Sequence, residues 1–196
     1  MKKVIFATKN KGKIKEIQAV LGDSYQVVTM EEAGITDEVD ETGTTFEENA
    51  KIKAEAVMKI SGEVVLADDS GLEIDYLNGE PGIYSARYMG HDTSYDIKNN
   101  SLIERLKDVP DEKRTARFVC AVAAAIPGRE TIVVRGTMEG IIGHEIKGEN
   151  GFGYDPIFFL PQYGKTSAEI SPEEKNKISH RGQALRAIKQ RLETLE

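Results

Sequence analysis

The chain has 196 residues, 39% of them hydrophobic, and a formal net charge of −7. That is enough for one domain with a sizeable core, read here as a single domain over 1–196 with room for two closely packed lobes. The acidic balance argues against a nucleic-acid polymer as partner, which needs a basic face to displace counterions, and no apolar run approaches a membrane span. The one cysteine, Cys120, excludes an intrachain disulfide framework, and the N-terminal apolar run is too short for a secretory signal, so the expected compartment is the cytoplasm.

KKVIFAT opens the chain as a short buried strand, KNKG turns, and KIKEIQAVLG follows as a helix with Ile14, Ile17, Val20 and Leu21 at helical spacing and Gly22 as cap. YQVVTM is a second strand and ITDEVDETGTT an acidic loop. The next helix, TTFEENAKIKAEAVMKISG, starts at a capping box of Thr44 and Glu47 and ends at Gly62. Phe46, Ala50, Val57 and Ile60 line one of its faces, and Lys53 shares that face, which calls for a partner; the competing reading is a lysine that snorkels to the surface.

EVVLADDS is a third strand, expected to exit at Asp68-Asp69-Ser70-Gly71. Thr93–Leu106 reads as a helix with Ile97, Ile103 and Leu106 as buried candidates. ARFVCAVAAAI and ETIVVRGTM form a hairpin about Pro127-Gly128-Arg129, which GIIGHEI could extend. NGFGYDPIFFL passes from a Gly-rich loop into a strand, and Ser179–Leu195 is an amphipathic helix striped by Leu185, Ile188, Leu192 and Leu195. The order β-α-β-α-β, then a meander, then a terminal helix defines an α/β fold with a mixed sheet. A break between lobes is expected around Gly82–Asp92.

Thr8-Lys9-Asn10-Lys11-Gly12-Lys13 sits between the first strand and the first helix, where free amides, a glycine and lysines can cradle an anion; the competing reading is a solvated lysine-rich turn. It has the spelling of neither a Walker loop nor GxGxxG. Asp40, Glu41, Asp68 and Asp69 supply carboxylates from two loops, as a hard cation bound with phosphates would require. In Gly151-Phe152-Gly153-Tyr154-Asp155, Phe152 is either a stacking platform for a base, with Asp155 accepting from ring N–H groups, or the core residue of a bulge. Arg181, in Ser179-His180-Arg181-Gly182, can donate to a carbonyl or phosphate. Cradle, carboxylates, aromatic shelf and cationic donors together are what a nucleoside triphosphate enzyme requires.

ATKNKGKIKEI, TFEENAKIKA, LADDSGLEIDYLNGEPGIYSARY, GFGYDPIFF and EEKNKISHRGQAL, in this order from Val4 to Leu185, resemble the inosine/xanthosine triphosphate pyrophosphatases (ITPase-like). The resemblance implies an elongated mixed sheet with flanking helices, two lobes about a central cleft, a homodimer, and Mg²⁺-dependent hydrolysis of dITP/ITP and XTP/dXTP to the monophosphate and pyrophosphate. By position it gives Thr8, Lys9, Asn10, Lys11, Gly12, Lys13 and Lys53 to the triphosphate, with Asn10 and Lys13 reaching phosphate oxygens. Asp69 becomes the catalytic and metal carboxylate, and Ser70 a nucleotide contact. Phe152, Gly153, Tyr154, Asp155, Lys175, His180 and Arg181 go to the base and sugar. The second metal carboxylate is Asp40 or Glu41, with Glu41 preferred, and Asp68 is a structural neighbour. A Maf-type nucleotide pyrophosphatase shares the general scaffold, but the GFGYD and SHRG segments argue against it; a non-catalytic nucleotide-binding protein is the other alternative.

Overall fold

In a computed structural model, the structure describes residues 1–195. Seven strands form one mixed sheet in the order β2-β1-β3-β4-β5-β6-β7. β1 (Lys2–Phe6) pairs in parallel with β2 (Tyr25–Thr29) and with β3 (Val65–Ile74). Parallel neighbours need crossovers, and α1 (Lys11–Leu21) and α2 (Phe46–Ser61) supply them. β4 (Thr115–Ala125) and β5 (Ile132–Ile142) make the expected hairpin. Arg129 N–H donates to the Ile126 carbonyl at the turn, and Ile142 N–H to that of Arg114 at the far end. β6 (Phe158–Leu160) and β7 (Lys165–Thr166) continue the sheet antiparallel. The remaining helices are α3 (Tyr95–Arg105), α4 (Pro172–Ile178) and α5 (His180–Glu193). No helix among the described residues is long and apolar enough to cross a membrane.

The chain divides into two compact units, one made of Met1–Ser70, Cys120–Gly136 and the segment from His180 onward, the other of Gly71–Val119 and Thr137–Ser179. The expected break at Gly82–Asp92 lies wholly inside the second unit. Three of the four crossings fall within β3, β4 and β5, where no linker composition marks them. In the first unit, Val4, Phe6 and Leu66 of the sheet pack with Ile17 and Leu21 of α1 and Leu185 and Ile188 of α5. In the second, Leu72, Ile74, Leu102, Leu106, Ile142 and Phe158 form a separate core.

Several local expectations shift. The cap of α2 is Thr45, whose hydroxyl accepts the Glu48 N–H at 3.1 Å, while Glu48 reaches back to the Thr44 N–H at 2.6 Å. The box therefore starts one residue later than Thr44 and Glu47, both Thr-x-x-Glu pairs fitting the spacing. β3 does not exit at Asp68-Gly71 but runs through it to the buried Leu72 and Ile74. Ile60 and Ile97, expected inside, are 52% and 54% exposed, and Leu195 is 38% exposed. Ile60 lies in the last turn of α2, Ile97 in the first turn of α3 and Leu195 past the end of α5. The tail helix starts at His180, and the extended Ser179 separates it from the unexpected α4. β5 stops at Ile142, so His144-Glu145-Ile146 does not extend the sheet.

Arg114 is fully buried in the second unit, and its guanidinium donates to the carbonyls of Leu106, Ile142 and Gly143. It thereby satisfies the C-cap of α3 and the end of β5 at once. Burial pushes its pKa down, with Asp111 opposing. Arg114→Met leaves these carbonyls without a donor, each costing about 1–3 kcal/mol. The expected result is a loss of about 3 kcal/mol in urea denaturation with an unchanged far-UV spectrum.

Candidate active site

Asp68 and Asp69 are adjacent on β3 and both lie near Lys13 and Lys53, but their surroundings differ. Asp68 Oδ2 stands 3.0 Å from Lys13 Nζ and 3.5 Å from Arg181 Nε. Burial alone would raise its pKa, but the charges of Lys13, Arg181 and Lys53 outweigh that and hold it well below the usual carboxylate range. Arg181 is itself 2% exposed and also donates to the Glu16 carboxylate and, at 3.0 Å, to Ser70 Oγ. Neighbouring Cys120 is buried, and its thiol is pushed up to about 12 by burial first and then by Asp68; it stays protonated and inert.

Asp69 is 7% exposed, and its Oδ2 has no hydrogen-bond partner among the described residues. Burial, and then the nearby Glu41 charge, raise its pKa to about 6, against the pull of Lys53 and Lys13. Lys53 Nζ donates to Glu41 Oε1 at 2.7 Å, which supplies the partner that its place on the apolar face demands. Its pKa is raised although burial opposes this, because Asp68, Glu41 and Asp69 surround it. One turn earlier on α2, the fully buried Asn49 accepts the Gly43 N–H at 2.8 Å and anchors the acidic loop that carries Glu41. Asp40, by contrast, is exposed.

The lysine-rich turn is organised by its own side chains. Asn10 caps α1, its Oδ1 accepting the N–H groups of Gly12 at 2.9 Å and Lys13 at 3.2 Å, and Thr8 Oγ1 accepts the Asn10 N–H at 3.2 Å. Lys9 and Lys11 are exposed, with Lys9 loosely paired to Glu38 at 3.8 Å. Lys13 is the member turned inward, toward Asp68.

The second unit holds a separate group. Asp155 is 2% exposed and accepts from three donors: Phe152 N–H at 3.0 Å, Lys175 Nζ at 2.7 Å and Ser167 Oγ at 2.6 Å. The Lys175 ammonium also lies 5.3 Å from the centre of the Phe152 ring. Asp155 is thus engaged by donors of its own unit, where the sequence had suggested an acceptor for ring N–H groups. Gly151 has a φ of +72° and so little room that a Cβ would meet Asp155 Oδ2 at 2.1 Å. Tyr154 is buried, its hydroxyl donating to the Ser85 carbonyl at 2.5 Å.

Of the residues expected to act together, Lys13, Lys53, Glu41, Asp69, Ser70 and Arg181 lie in the first unit, and Phe152, Gly153, Tyr154, Asp155 and Lys175 in the second. Arg181, expected at the base end, is engaged by Glu16, Asp68 and Ser70, and His180 is buried beside it at the start of α5. Sequence reading passed over Glu16, Ser167 and Ser85, and gave Asn49 no role of its own. For Asn49 the signal was available, since it lies four residues before Lys53 on one helix face. The partners of the others are distant in the chain.

Whether a divalent cation suits this site can be tested on its donors. No three or more His, Cys, Asp or Glu side chains cluster in a metal-binding group among the described residues. Asp69 nevertheless offers a buried oxygen without a partner, next to the Glu41 carboxylate. Two carboxylates completed by phosphate oxygens and water are the donor set of Mg²⁺. The residues fit.

One unit holds carboxylates against buried cations, and the other an aromatic-lysine-aspartate group; each is a kind of contact that suits a nucleotide. The sequence pattern of the Ham1 family matches residues 4–191, and the chain belongs to that family. A dITP/XTP pyrophosphatase of Bacillus subtilis strain 168 is 51% identical over 194 residues, covering 98% of each chain. Another, of Exiguobacterium sibiricum, is 52% identical over 193 residues, again 98% of each. The Ham1 protein of Staphylococcus aureus superimposes with a TM-score of 0.89 at 44% identity over 100% of both chains. That of Coxiella burnetii gives 0.89 at 40% identity, covering 99% of this chain and 100% of its own.

Proposed function

We propose that this chain hydrolyses deaminated purine nucleoside triphosphates, dITP/ITP and XTP/dXTP, between the α- and β-phosphates, releasing the monophosphate and pyrophosphate. The observation that carries the reading is the buried Asp69, with an unpartnered oxygen beside the Glu41–Lys53 pair. Relatives of about half-identical sequence named dITP/XTP pyrophosphatases support the substrate class. The protein acts as a cytoplasmic homodimer that cleanses the nucleotide pool.

Glu41 and Asp69 would hold Mg²⁺, which supplies charge neutralisation at the phosphates and orients water. Asp69 is the carboxylate placed to accept a proton from the attacking water or to position that water. The water oxygen bonds to the α-phosphorus, the bond to the bridging oxygen breaks, and the electron pair leaves with pyrophosphate. Lys13, Lys53 and the first turn of α1 stabilise that leaving charge. At the other end of the substrate, Phe152 stacks on the base, with Lys175 beside it as a donor to a 6-oxo group that adenine lacks. Leaving such a donor unmatched by a 6-amino group costs about 1–3 kcal/mol.

Pyrophosphate release from dITP, XTP, dGTP and dATP, assayed in parallel with and without Mg²⁺, tests the proposal. Release from dITP and XTP that depends on Mg²⁺ is expected; no release from either overturns the function, and orthophosphate in place of pyrophosphate changes the bond that is cleaved. Gly151→Ala checks the base end. Its Cβ collides with the Asp155 carboxylate, so KM for dITP is expected to rise about tenfold with kcat changed much less, the pattern of lost uniform binding.

A further inference from the structure

Ser85, in the 3-10 turn Gly82–Arg87, joins two elements of the second unit through its main chain and its side chain at once. Its carbonyl accepts the Tyr154 hydroxyl at 2.5 Å. Its own hydroxyl lies 2.6 Å from the Gly82 carbonyl and 2.9 Å from the Leu72 nitrogen. A serine hydroxyl has one proton; Gly82 takes it, so the oxygen is oriented to accept from Leu72 N–H. Ser85 and Tyr154 are each 4% exposed and Leu72 is fully buried, so water does not compete for these bonds.

The Leu72 amide needs this acceptor for a structural reason. β1 pairs with β3 at Val65 and Leu66, and the Leu66 carbonyl points to that edge, where it accepts the Ala7 N–H at 2.8 Å. Leu72 has the parity of Leu66, so its amide points to the same edge beyond the pairing with β1. Leu72 also follows Asp69 by three residues on one strand. At the other end, Tyr154 belongs to the aromatic loop. That loop is held to α3 by Asn99 Nδ2 on the Gly153 carbonyl at 3.1 Å, and by the Tyr95 ring standing edge-on to Tyr154 at 5.2 Å. Burial keeps the Tyr154 phenol protonated and therefore a donor.

We propose that Ser85 is a positioning residue for base discrimination: through Tyr154 and Leu72 it ties the loop that receives the base to the strand segment that follows Asp69-Ser70. The proposal rests on the reading that Phe152–Asp155 takes the base. A base that seats the loop draws on the tether, and one that does not seat it gains nothing from it. Weakening the tether therefore lowers the rate for the preferred base and spares the rate for the wrong one.

Two measurements test this. Hydrogen exchange at the Leu72 amide needs no substrate, and in Tyr154→Phe, which leaves Ser85 intact, it is expected to be about tenfold faster than in the wild type; unchanged protection overturns the tether. The kcat/KM ratio of dITP to dATP is then measured for wild type, Ser85→Ala, Tyr154→Phe and the double variant. Each single change is expected to lower the ratio about tenfold, and the double variant to fall no further than the worse single one. Equal losses on both substrates, or fully additive effects, mean a packing role and overturn the proposal. Wild-type protein that releases nothing from dITP defeats the functional reading instead, while the exchange result still decides the tether.

Discussion

Asp69→Asn is expected to lower pyrophosphate release from dITP by about 10²–10⁴-fold, the range for a lost general base, while nucleotide affinity changes only a few-fold. The same substitution is expected to make the metal-free protein more stable. Asp69 has a folded-state pKa of about 6 against an ordinary value of 3.8, because burial and Glu41 both disfavour its charge. Its stability contribution is therefore fully present below about pH 4 and lost as pH rises through 6. At neutral pH the ionised group costs the fold roughly 2–3 kcal/mol. Asparagine cannot ionise, so in EDTA at pH 7.5 the variant should melt several degrees above wild type, and at pH 4 the two should converge. Melting curves at both pH values, with calorimetric titration of a non-hydrolysable analogue, separate the claims. Near-normal turnover removes Asp69 from its role, and a lower melting point at pH 7.5 removes the account of its burial.

How much of this could be seen in the chain alone depended on the range of the interaction. Lys53 on the apolar face of α2 left two readings open, a partner or a side chain snorkelling to the surface; the structure gives it a partner, Glu41. The strand-helix start at Lys2–Leu21 and the hairpin of β4 and β5 were legible for the same reason, each being set by pattern within a few residues. The different roles of Asp68 and Asp69 were hidden by reading Ser70-Gly71 as a turn; β3 runs on to Ile74, and Asp68 is paired with Lys13 and Arg181 while an oxygen of Asp69 has no partner. Arg181 with Asp68, Ser167 with Asp155 and Ser85 with Tyr154 could not be foreseen, since each joins segments far apart in the chain. The unit boundaries were invisible for a further reason: strands that cross from one core to the next keep an unbroken apolar composition.

Asp68→Asn has the largest expected effect on stability. The wild-type carboxylate is fully buried among Lys13, Arg181 and Lys53, and removing one member of a buried charge group costs about 3–5 kcal/mol because the others lose their compensation. Its depressed pKa gives the sign: the stabilisation is present above the ordinary carboxylate value of 3.8 and is lost as pH falls through the folded-state value. Urea denaturation at pH 7.5 should thus show the full deficit, which narrows only in strongly acidic solution. Two of the cations left behind, Lys13 and Lys53, are those proposed to receive the leaving pyrophosphate. An anion that binds the folded variant therefore restores what Asp68 supplied, and added pyrophosphate should raise the melting temperature of Asp68→Asn more than that of wild type. Equal shifts in the two proteins would mean that Lys13 and Lys53 do not receive the pyrophosphate. A larger shift in the variant means that Asp68 holds these cations in place for the phosphates.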